Sequence, residues 1–170
     1  MRSRIITFPD VPGLRPTPDR VRETLFNWLG QTLYGRTCLD LFAGSGALGF
    51  EAASRGAGQV VMVEKNPAVV RILQENAKKL GCVNIVVYAQ DGVEFASRDT
   101  RRYDVIFLDP PFSGDYLPGL MQILPQRLNQ NGVVYVESGA EIDVSPPWQV
   151  MKSGKAGQVH YKLIGIHHDD

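Results

Sequence analysis

The sequence predicts an α/β protein built on a doubly wound, mostly parallel β-sheet. From residue 37 onward, short apolar runs rich in β-branched residues alternate with longer runs of helical periodicity. This alternation is typical of a parallel sheet whose strands are joined by crossover helices. Two further apolar runs close the chain around a turn-rich segment, as in an antiparallel hairpin. These observations together predict a seven-stranded, Rossmann-like sheet.

Five strands are predicted to form the parallel part of the sheet, because each is a nearly continuous apolar run that suits burial on both faces. They cover residues 37–42, 59–64, 84–89, 104–109 and 132–138. The best-marked helix follows the second strand, with Asn66 as N-cap, Pro67 at the first helical position and Gly81 at its end. A second helix, over about residues 18–29, is predicted to cap the sheet.

The terminal hairpin is predicted from residues 148–152 and 159–166, joined by Ser153-Gly154-Lys155-Ala156-Gly157. An antiparallel hairpin at the end of a mostly parallel sheet separates the class I methyltransferase fold from nucleotide-binding dehydrogenases. We therefore expect one domain with three parts: a basic N-terminal segment and capping helix, a central core, and the hairpin. These parts cover residues 1–36, 37–138 and 146–166.

Composition narrows the class of protein further. No apolar run approaches the roughly 20 residues that span a bilayer, and no signal-peptide pattern opens the sequence. We therefore expect a cytoplasmic monomer with no membrane partner. The net charge of zero argues against general, nonspecific binding of nucleic acid. Residues 1–36, however, hold six arginines against three acidic residues, so a local anion-binding face is expected there.

Neither cysteine suggests a metal site or a disulfide. Cys38 and Cys82 lie in a strand-like run and just after a helix-like run, without the spacing of metal ligands. We predict that both are reduced and structural, and that the protein binds no metal.

A glycine-rich turn after the first strand predicts an adenosine-containing cofactor. Gly44, Gly46 and Gly49 form a Gly-x-Gly-x-x-Gly motif, in which glycine lets the backbone turn sharply and approach a ligand. Glu64 ends the next strand, where a carboxylate can accept hydrogen bonds from ribose hydroxyls. The motif alone fits NAD as well as S-adenosylmethionine.

Asp40 favours S-adenosylmethionine over NAD. A carboxylate four residues before the first glycine would repel a pyrophosphate, but it can hold the ammonium of a methionine moiety. The structural alternative for Asp40 is a helix or turn cap. Asp91 is predicted to accept from the adenine amino group, with an N-cap of the next helix as its alternative. The other cofactor-binding positions predicted at this edge of the sheet are Phe42, Ser45 and Gly92.

The segment after the fourth strand, Asp109-Pro110-Pro111-Phe112, is the most specific signal in the chain. The exocyclic amine of a base is a poor nucleophile, so it must be held with its lone pair aimed at the methyl carbon. The Asp109 carboxylate and the Pro110 carbonyl can accept the two amine hydrogens, while Pro111 stiffens the loop. Phe112 offers a face for stacking an extruded base.

Other interpretations of this segment remain open. Two prolines can simply end a strand, and Phe112 can belong to the core. The segment does not choose among adenine, cytosine and guanine, and a non-catalytic cofactor-binding RNA module or an NAD-dependent oxidoreductase are rival functions. A covalent ring-carbon methyltransferase would need a cysteine in this loop, and neither Cys38 nor Cys82 is there.

Three motifs in order resemble the bacterial 16S rRNA guanine-N2 methyltransferase family that modifies guanine(966). They are residues 14–29, which read Leu-Arg-Pro-Thr-Pro-Asp-Arg-Val-Arg-Glu-Thr-Leu-Phe-Asn-Trp-Leu, residues 39–49 and residues 109–112. The resemblance implies methylation of a guanine N2 in 16S rRNA, either naked or in a small-subunit assembly particle. It assigns Asp109 and Pro110 to the target amine.

The resemblance also gives a role to the arginine-rich motif. It implies that this motif lies over the active site and helps to hold RNA or cofactor. The residues concerned are Arg15, Thr17, Arg20 and Arg22. The structural alternative for Arg20 and Arg22 is a solvated helix face.

Overall fold

The computed structural model describes residues 19–110 and 116–166. In chain order, its elements are α1 (Asp19–Leu29), β1 (Thr37–Asp40), α2 (Ala47–Ser54), β2 (Gln59–Glu64), α3 (Pro67–Lys79), β3 (Ile85–Ala89), α4 (Gly92–Arg98), β4 (Tyr103–Leu108), α5 (Leu117–Ile123), a short 3-10 helix (Leu124–Arg127), β5 (Leu128–Ser138), β6 (Trp148–Ala156) and β7 (Val159–Ile166).

The seven strands form one sheet in the order β3-β2-β1-β4-β5-β7-β6. Strands β1 to β5 pair in parallel, whereas β7 runs antiparallel to both β5 and β6. The chain order reverses at β1, which pairs with β2 on one side and β4 on the other. Ligands of open α/β sheets bind at the carboxyl ends of the strands beside such a reversal. The predicted parallel sheet with a terminal antiparallel hairpin is confirmed.

Helices cover the sheet on both faces. Buried residues of α1, α2 and α3, such as Leu25, Phe50 and Leu73, pack on one face of the strands. Buried residues of α4 and α5, such as Phe95 and Leu120, pack on the other. We call the face of the sheet that α1, α2 and α3 cover the α1–α3 face. Because successive strand residues point to opposite faces, the central strands β1, β2, β4 and β5 contribute alternate side chains to the two cores.

The signals that predicted α3 are all present in its geometry. The side-chain oxygen Oδ1 of Asn66 accepts a hydrogen bond from the Ala68 amide at 2.9 Å, and Pro67 is the first helical residue. The helix ends before Gly81, which has a φ of 71°, a left-handed conformation that favours glycine. Both ends of the helix are therefore set by the residues next to them in sequence.

The predicted connection of the hairpin was wrong. Strand β6 continues to Ala156, so Ser153 to Ala156 are paired and only Gly157 and Gln158 form the turn. Gly154 lies against the Tyr161 ring, and a Cβ atom built there would be 2.6 Å from its Cζ. This glycine therefore permits a close contact across the hairpin and does not mark a turn.

Apart from one-residue shifts at the ends of β3 and β4, two strand boundaries also differ from the prediction. Strand β1 ends at Asp40 instead of residue 42, because the chain turns there toward α2. Strand β5 begins at Leu128 instead of residue 132, since Leu128 pairs with Tyr103 before the register shifts.

Over the described ranges, no helix is long and apolar enough to cross a membrane.

Candidate active site

Four carboxylates lie at the carboxyl ends of the adjacent strands β2, β1, β4 and β5. In that order they are Glu64, Asp40, Asp109 and Glu137. The residues two positions before them all belong to the core under the α1–α3 face: Met62, Cys38, Phe107 and Tyr135. Because side chains alternate along a strand, the four acids share that face. We call this set the acidic row.

The predicted strand-to-helix turn after β1 is present and is built on two left-handed glycines. Gly44 has a φ of 54° and Gly46 a φ of 83°. The Gly44 amide donates to Oε2 of Glu64 at 3.0 Å, which ties the turn to the end of β2. The Ser45 hydroxyl is buried and accepts from the Ala47 amide at 3.4 Å, where α2 begins.

Asp40 is the most deeply buried acid of this turn, with 3% of its surface exposed. Its Oδ2 accepts the Gly49 amide of the first turn of α2 at 3.2 Å, so the capping role weighed for it is present. Burial raises the pKa of Asp40 to about 7; the Gly49 hydrogen bond opposes this shift, and the charge of Glu64 adds to it. Asp40 therefore changes charge near neutral pH, and a nearby cation would favour its charged form.

Glu64 holds two loops together at the end of β2. Besides the Gly44 amide on Oε2, its Oε1 accepts the Asn66 amide at 3.1 Å. A carboxylate offers about four lone-pair sites, so these two bonds leave capacity for hydroxyl donors. The predicted binding of ribose and the observed support of the turn are thus compatible.

Asp91, Gly92 and Phe42 form a second group at this edge of the sheet. The Oδ1 of Asp91 accepts the Glu94 amide at 3.0 Å as the N-cap of α4, which was the alternative weighed for this residue. The buried Gly92 lies against the Phe42 ring, whose centroid is 5.7 Å from that of Tyr116. Tyr116 was not predicted from the sequence, since its place beside Phe42 depends on the packing of α5.

We expect Gly92→Ala to destabilise the protein. A Cβ atom there would lie 2.8 Å from the Leu41 carbonyl oxygen and 2.9 Å from the Phe42 ring, and overpacking of this kind costs about 1 to 3 kcal/mol. Gly119→Ala is the matched control. Gly119 lies within α5 with no atom near its added Cβ, so the change should stabilise the protein by about 0.5 to 1 kcal/mol. Urea unfolding measures the change in the free energy of unfolding for each variant. Changes of equal sign and size would contradict the close packing seen around Gly92.

The candidate catalytic residues are only partly within the described ranges. Asp109 follows β4 and is half-buried, and Pro110 is buried. The charge of Asp109 contributes to the raised pKa of Tyr135 on the neighbouring strand β5. The predictions for Pro111 and Phe112 lie outside the described residues.

Tyr135 and Glu137 on β5 were missed by the sequence analysis. Glu137 has 2% of its surface exposed, and its Oε2 accepts a hydrogen bond from the Tyr135 hydroxyl at 2.8 Å. The available signal was an acid near the end of an apolar strand, the same signal that identified Glu64. It was overlooked because Glu137 belongs to no glycine motif or proline-rich loop.

Of the four predicted RNA-binding residues, Arg20 and Arg22 are described. Both belong to α1, where Arg20 is exposed and the Arg22 guanidinium is 2.8 Å from the carboxylate of Asp19. Arg15 and Thr17 lie outside the described residues. The geometry of α1 is compatible with a solvated helix face as well as with an RNA contact.

Comparison with known proteins decides the family. A family model described as conserved hypothetical protein 95 matches residues 1–165. Ribosomal RNA small subunit methyltransferase D of Escherichia coli strain K12 is 40% identical over 167 residues, which are 95% of this chain and 84% of the relative. The protein of the same name in Haemophilus influenzae is 38% identical, over 95% of this chain and 88% of its own. The chain belongs to the ribosomal RNA small subunit methyltransferase D family.

Solved structures agree with the fold of this chain. A putative methyltransferase from Escherichia coli matches with a TM-score of 0.85 at 40% identity, covering 95% of this chain and 92% of that one. Ribosomal protein L11 methylase of Lactobacillus delbrueckii matches with a TM-score of 0.71 at 20% identity, over 92% and 83% of the two chains. The predicted Rossmann-like class I methyltransferase fold is therefore confirmed.

Proposed function

We propose that this protein transfers a methyl group from S-adenosylmethionine to the exocyclic N2 amine of a guanine in 16S rRNA. One observation carries the proposal. Asp109 and the glycine turn directly follow the adjacent strands β4 and β1, at the reversal of the sheet. A base presented to Asp109 would thus be next to a cofactor held by the turn. The names of the relatives support small-subunit rRNA as the substrate.

The residues around the turn fit S-adenosylmethionine. The buried carboxylate of Asp40 suits an ammonium group, and Glu64 retains acceptor capacity for ribose hydroxyls. Asp91 would accept from the adenine amine in addition to capping α4. The surrounding residues that would line the cofactor are Phe42, Gly44, Ser45, Gly46 and Gly92.

When bound, the cofactor supplies a methyl group on a sulfonium, whose carbon–sulfur electron pair stays on sulfur as nitrogen bonds the carbon. Asp109 and the Pro110 carbonyl accept the amine hydrogens and so aim the nitrogen lone pair. The Asp109 carboxylate also stabilises the positive charge that develops on nitrogen, and then takes the proton that nitrogen loses. Pro111 stiffens this loop, and Phe112 provides the face on which the base stacks.

Two rival chemistries fit the described residues poorly. The buried carboxylate of Asp40 would repel the pyrophosphate of NAD when ionised. Covalent methylation of a ring carbon needs a thiolate, but burial raises the pKa of the Cys38 thiol to about 12. Metal catalysis plays no part in the proposal, and no cluster of three or more metal-ligating residues occurs among residues 19–110 and 116–166.

The proposed function also includes the form of the substrate, the cellular compartment and the oligomeric state. The substrate is 16S rRNA, naked or within a small-subunit assembly particle, and the protein acts in the cytoplasm as a monomer without a membrane partner. The basic segment 1–36, the core 37–138 and the hairpin 146–166 act as one domain. Methylation rates on naked rRNA and on particles, compared under the same conditions, identify the better substrate.

Nucleoside mass spectrometry tests the proposal directly. Digests of 16S rRNA from cells with and without the protein should differ by the loss of one N2-methylguanosine per rRNA. Loss of a methylated adenine or cytosine would overturn the assignment of guanine. An unchanged nucleoside profile, together with no label transfer from methyl-labelled cofactor to rRNA, would reject the function altogether.

Replacing Arg20 and Arg22 together with glutamine should weaken RNA binding and reduce its dependence on salt. Each phosphate that a protein cation neutralises contributes about 0.7 to 0.9 to the slope of log affinity against log salt. If both arginines contact phosphates, the slope should therefore become shallower by about 1.4 to 1.8. Arg98→Gln, at the end of α4, is the control, because it removes one positive charge, as each of the other two substitutions does. An unchanged slope would assign Arg20 and Arg22 to a solvated face.

A further inference from the structure

Glu137 is the member of the acidic row that the function proposed above does not use. Val136 pairs with Leu108 in the parallel register of β5 and β4, so Glu137 is level with Asp109 on the neighbouring strand. Adjacent strands are about 4.8 Å apart, and both side chains lie on the α1–α3 face. Burying a carboxylate costs free energy unless the site compensates it. A buried acid level with the proposed reacting group therefore calls for an explanation.

Tyr135 holds Glu137 in place. Its hydroxyl donates to Oε2 of Glu137 at 2.8 Å. Burial, the charge and hydrogen bond of Glu137 and the charge of Asp109 raise the pKa of Tyr135 well above its ordinary value. The phenol therefore stays protonated and remains a hydrogen-bond donor at neutral pH. Of the two carboxylates, Glu137 is in direct contact with this phenol, and Asp109 follows the neighbouring strand β4.

Aromatic packing in turn holds Tyr135. The centroid of its ring is 6.5 Å from that of Tyr161 on β7, and Tyr161 lies 5.3 Å from Trp28 of α1. Tyr135 is fully buried, so its hydroxyl has a fixed direction. The hydrogen-bonded carboxylate of Glu137 is consequently held at one position beside the end of β4.

We propose that Tyr135 and Glu137 form a positioning pair for methyl transfer. The inference rests on the function proposed above. The pair holds a negative charge beside Asp109 without touching the substrate amine. Because the reaction moves positive charge onto the amine nitrogen, a fixed carboxylate next to Asp109 stabilises the transition state more than the ground state. Glu137 thus acts through its charge and its position, and Tyr135 holds the Glu137 carboxylate in that position.

Two substitutions of Glu137 separate charge from packing. Glu137→Gln keeps the size and an acceptor oxygen but loses the charge, whereas Glu137→Asp keeps the charge and leaves a small cavity. A positioning charge predicts that Gln lowers kcat about tenfold or more and that Asp retains more activity than Gln. The KM values for both substrates should stay within about threefold. A packing role predicts the opposite order, with Gln the more active variant.

The assay uses the full chain, methyl-labelled S-adenosylmethionine and small ribosomal subunits from cells that lack the protein. The Kd of S-adenosylhomocysteine and the free energy of unfolding are measured for each variant as readouts that need no turnover. Non-additive unfolding energies for Glu137→Gln and Tyr135→Phe would show that the two residues act as a pair. Asp104→Asn is the matched control. Asp104 accepts hydrogen bonds from the Thr37 amide at 2.9 Å and from the Asn129 side-chain amide at 3.1 Å, near the start of the neighbouring strand β4, so its loss should lower stability and leave kcat unchanged.

The outcomes for the function and for the pair are distinct. An inactive wild-type protein would overturn the proposed function, whereas an active wild type with an equally active Glu137→Gln would overturn only the positioning pair. Should Glu137→Gln fail to fold, Tyr135→Phe carries the test, since it removes a single hydroxyl. It should lower kcat about three- to tenfold with unchanged KM values, and an unchanged kcat would overturn the inference.

Discussion

Asp109→Ala is expected to lower kcat for rRNA methylation by about a hundred- to a thousandfold, the usual cost of removing one group that stabilises the transition state. The alanine can neither accept an amine hydrogen nor offset the charge that develops on nitrogen. The Kd of S-adenosylhomocysteine should stay within about threefold of the wild-type value, because Asp109 contacts the amine in this proposal and not the cofactor. Single-turnover methylation and calorimetry measure the two quantities.

Two further variants make this prediction specific. Asp109→Asn keeps one acceptor oxygen but no charge, so its rate should lie between those of wild type and Asp109→Ala. Glu64→Ala should show the reverse pattern, with cofactor affinity about tenfold or more lower, since it removes the proposed ribose acceptor and frees the Gly44 amide from its 3.0 Å bond. If Asp109→Ala instead lost cofactor affinity while Glu64→Ala lost only kcat, the two assignments would be refuted.

Cofactor binding is expected to weaken as the pH falls below about 7, because of Asp40. Burial raises the pKa of this carboxyl to about 7, whereas an ammonium bound beside it would favour the charged form. Binding should therefore release a proton. Between about pH 5 and 7, the Kd of S-adenosylhomocysteine should increase by up to about tenfold for each unit of decrease in pH. Calorimetry in buffers with different ionisation enthalpies counts the released proton.

The same carboxyl should have the opposite effect on the stability of the free protein. Its pKa in the folded state is above the ordinary value of 3.8, so the folded state binds a proton that the unfolded state has lost between about pH 4 and 7. Stability should thus fall as the pH rises through this window, by on the order of 4 kcal/mol. Asp40→Asn should remove both pH dependences, bind the cofactor more weakly and be more stable at pH 8. A pH-independent Kd in the wild type would rule out contact between Asp40 and the ammonium.

How much the sequence could predict depended on how local each signal was. The ends of α3 were predictable because they are set by nearby residues in the sequence. Asn66 and Pro67 act at its start, and Gly81 acts just after its end. The turn containing Gly44 and Gly46 was predictable for the same reason. Gly154 was misread as part of a turn, because its close contact with Tyr161 arises only when β6 pairs with β7.

The candidate site shows the same division. The sequence identified Asp40, Glu64 and Asp109 individually, since each stands at the end of a predicted strand near a recognisable motif. It could not bring Glu137 beside Asp109, because that requires the order of strands and the register of β4 with β5. The cap that Asp91 provides for α4 could be predicted, because capping is again a local interaction.

The acidic row has a consequence for the end of the reaction cycle. When they are ionised, the four carboxylates on these neighbouring strand ends create a negative potential at this edge of the sheet, and a cation bound there would favour the ionised form of Asp40. In the proposed reaction, methyl transfer would remove the positive charge from sulfur, so the spent cofactor would carry one positive charge less than the fresh one. The potential therefore attracts the spent cofactor less strongly than the fresh one. Under the proposed function, the acidic row would therefore also favour replacement of the spent cofactor by a fresh one after each turnover.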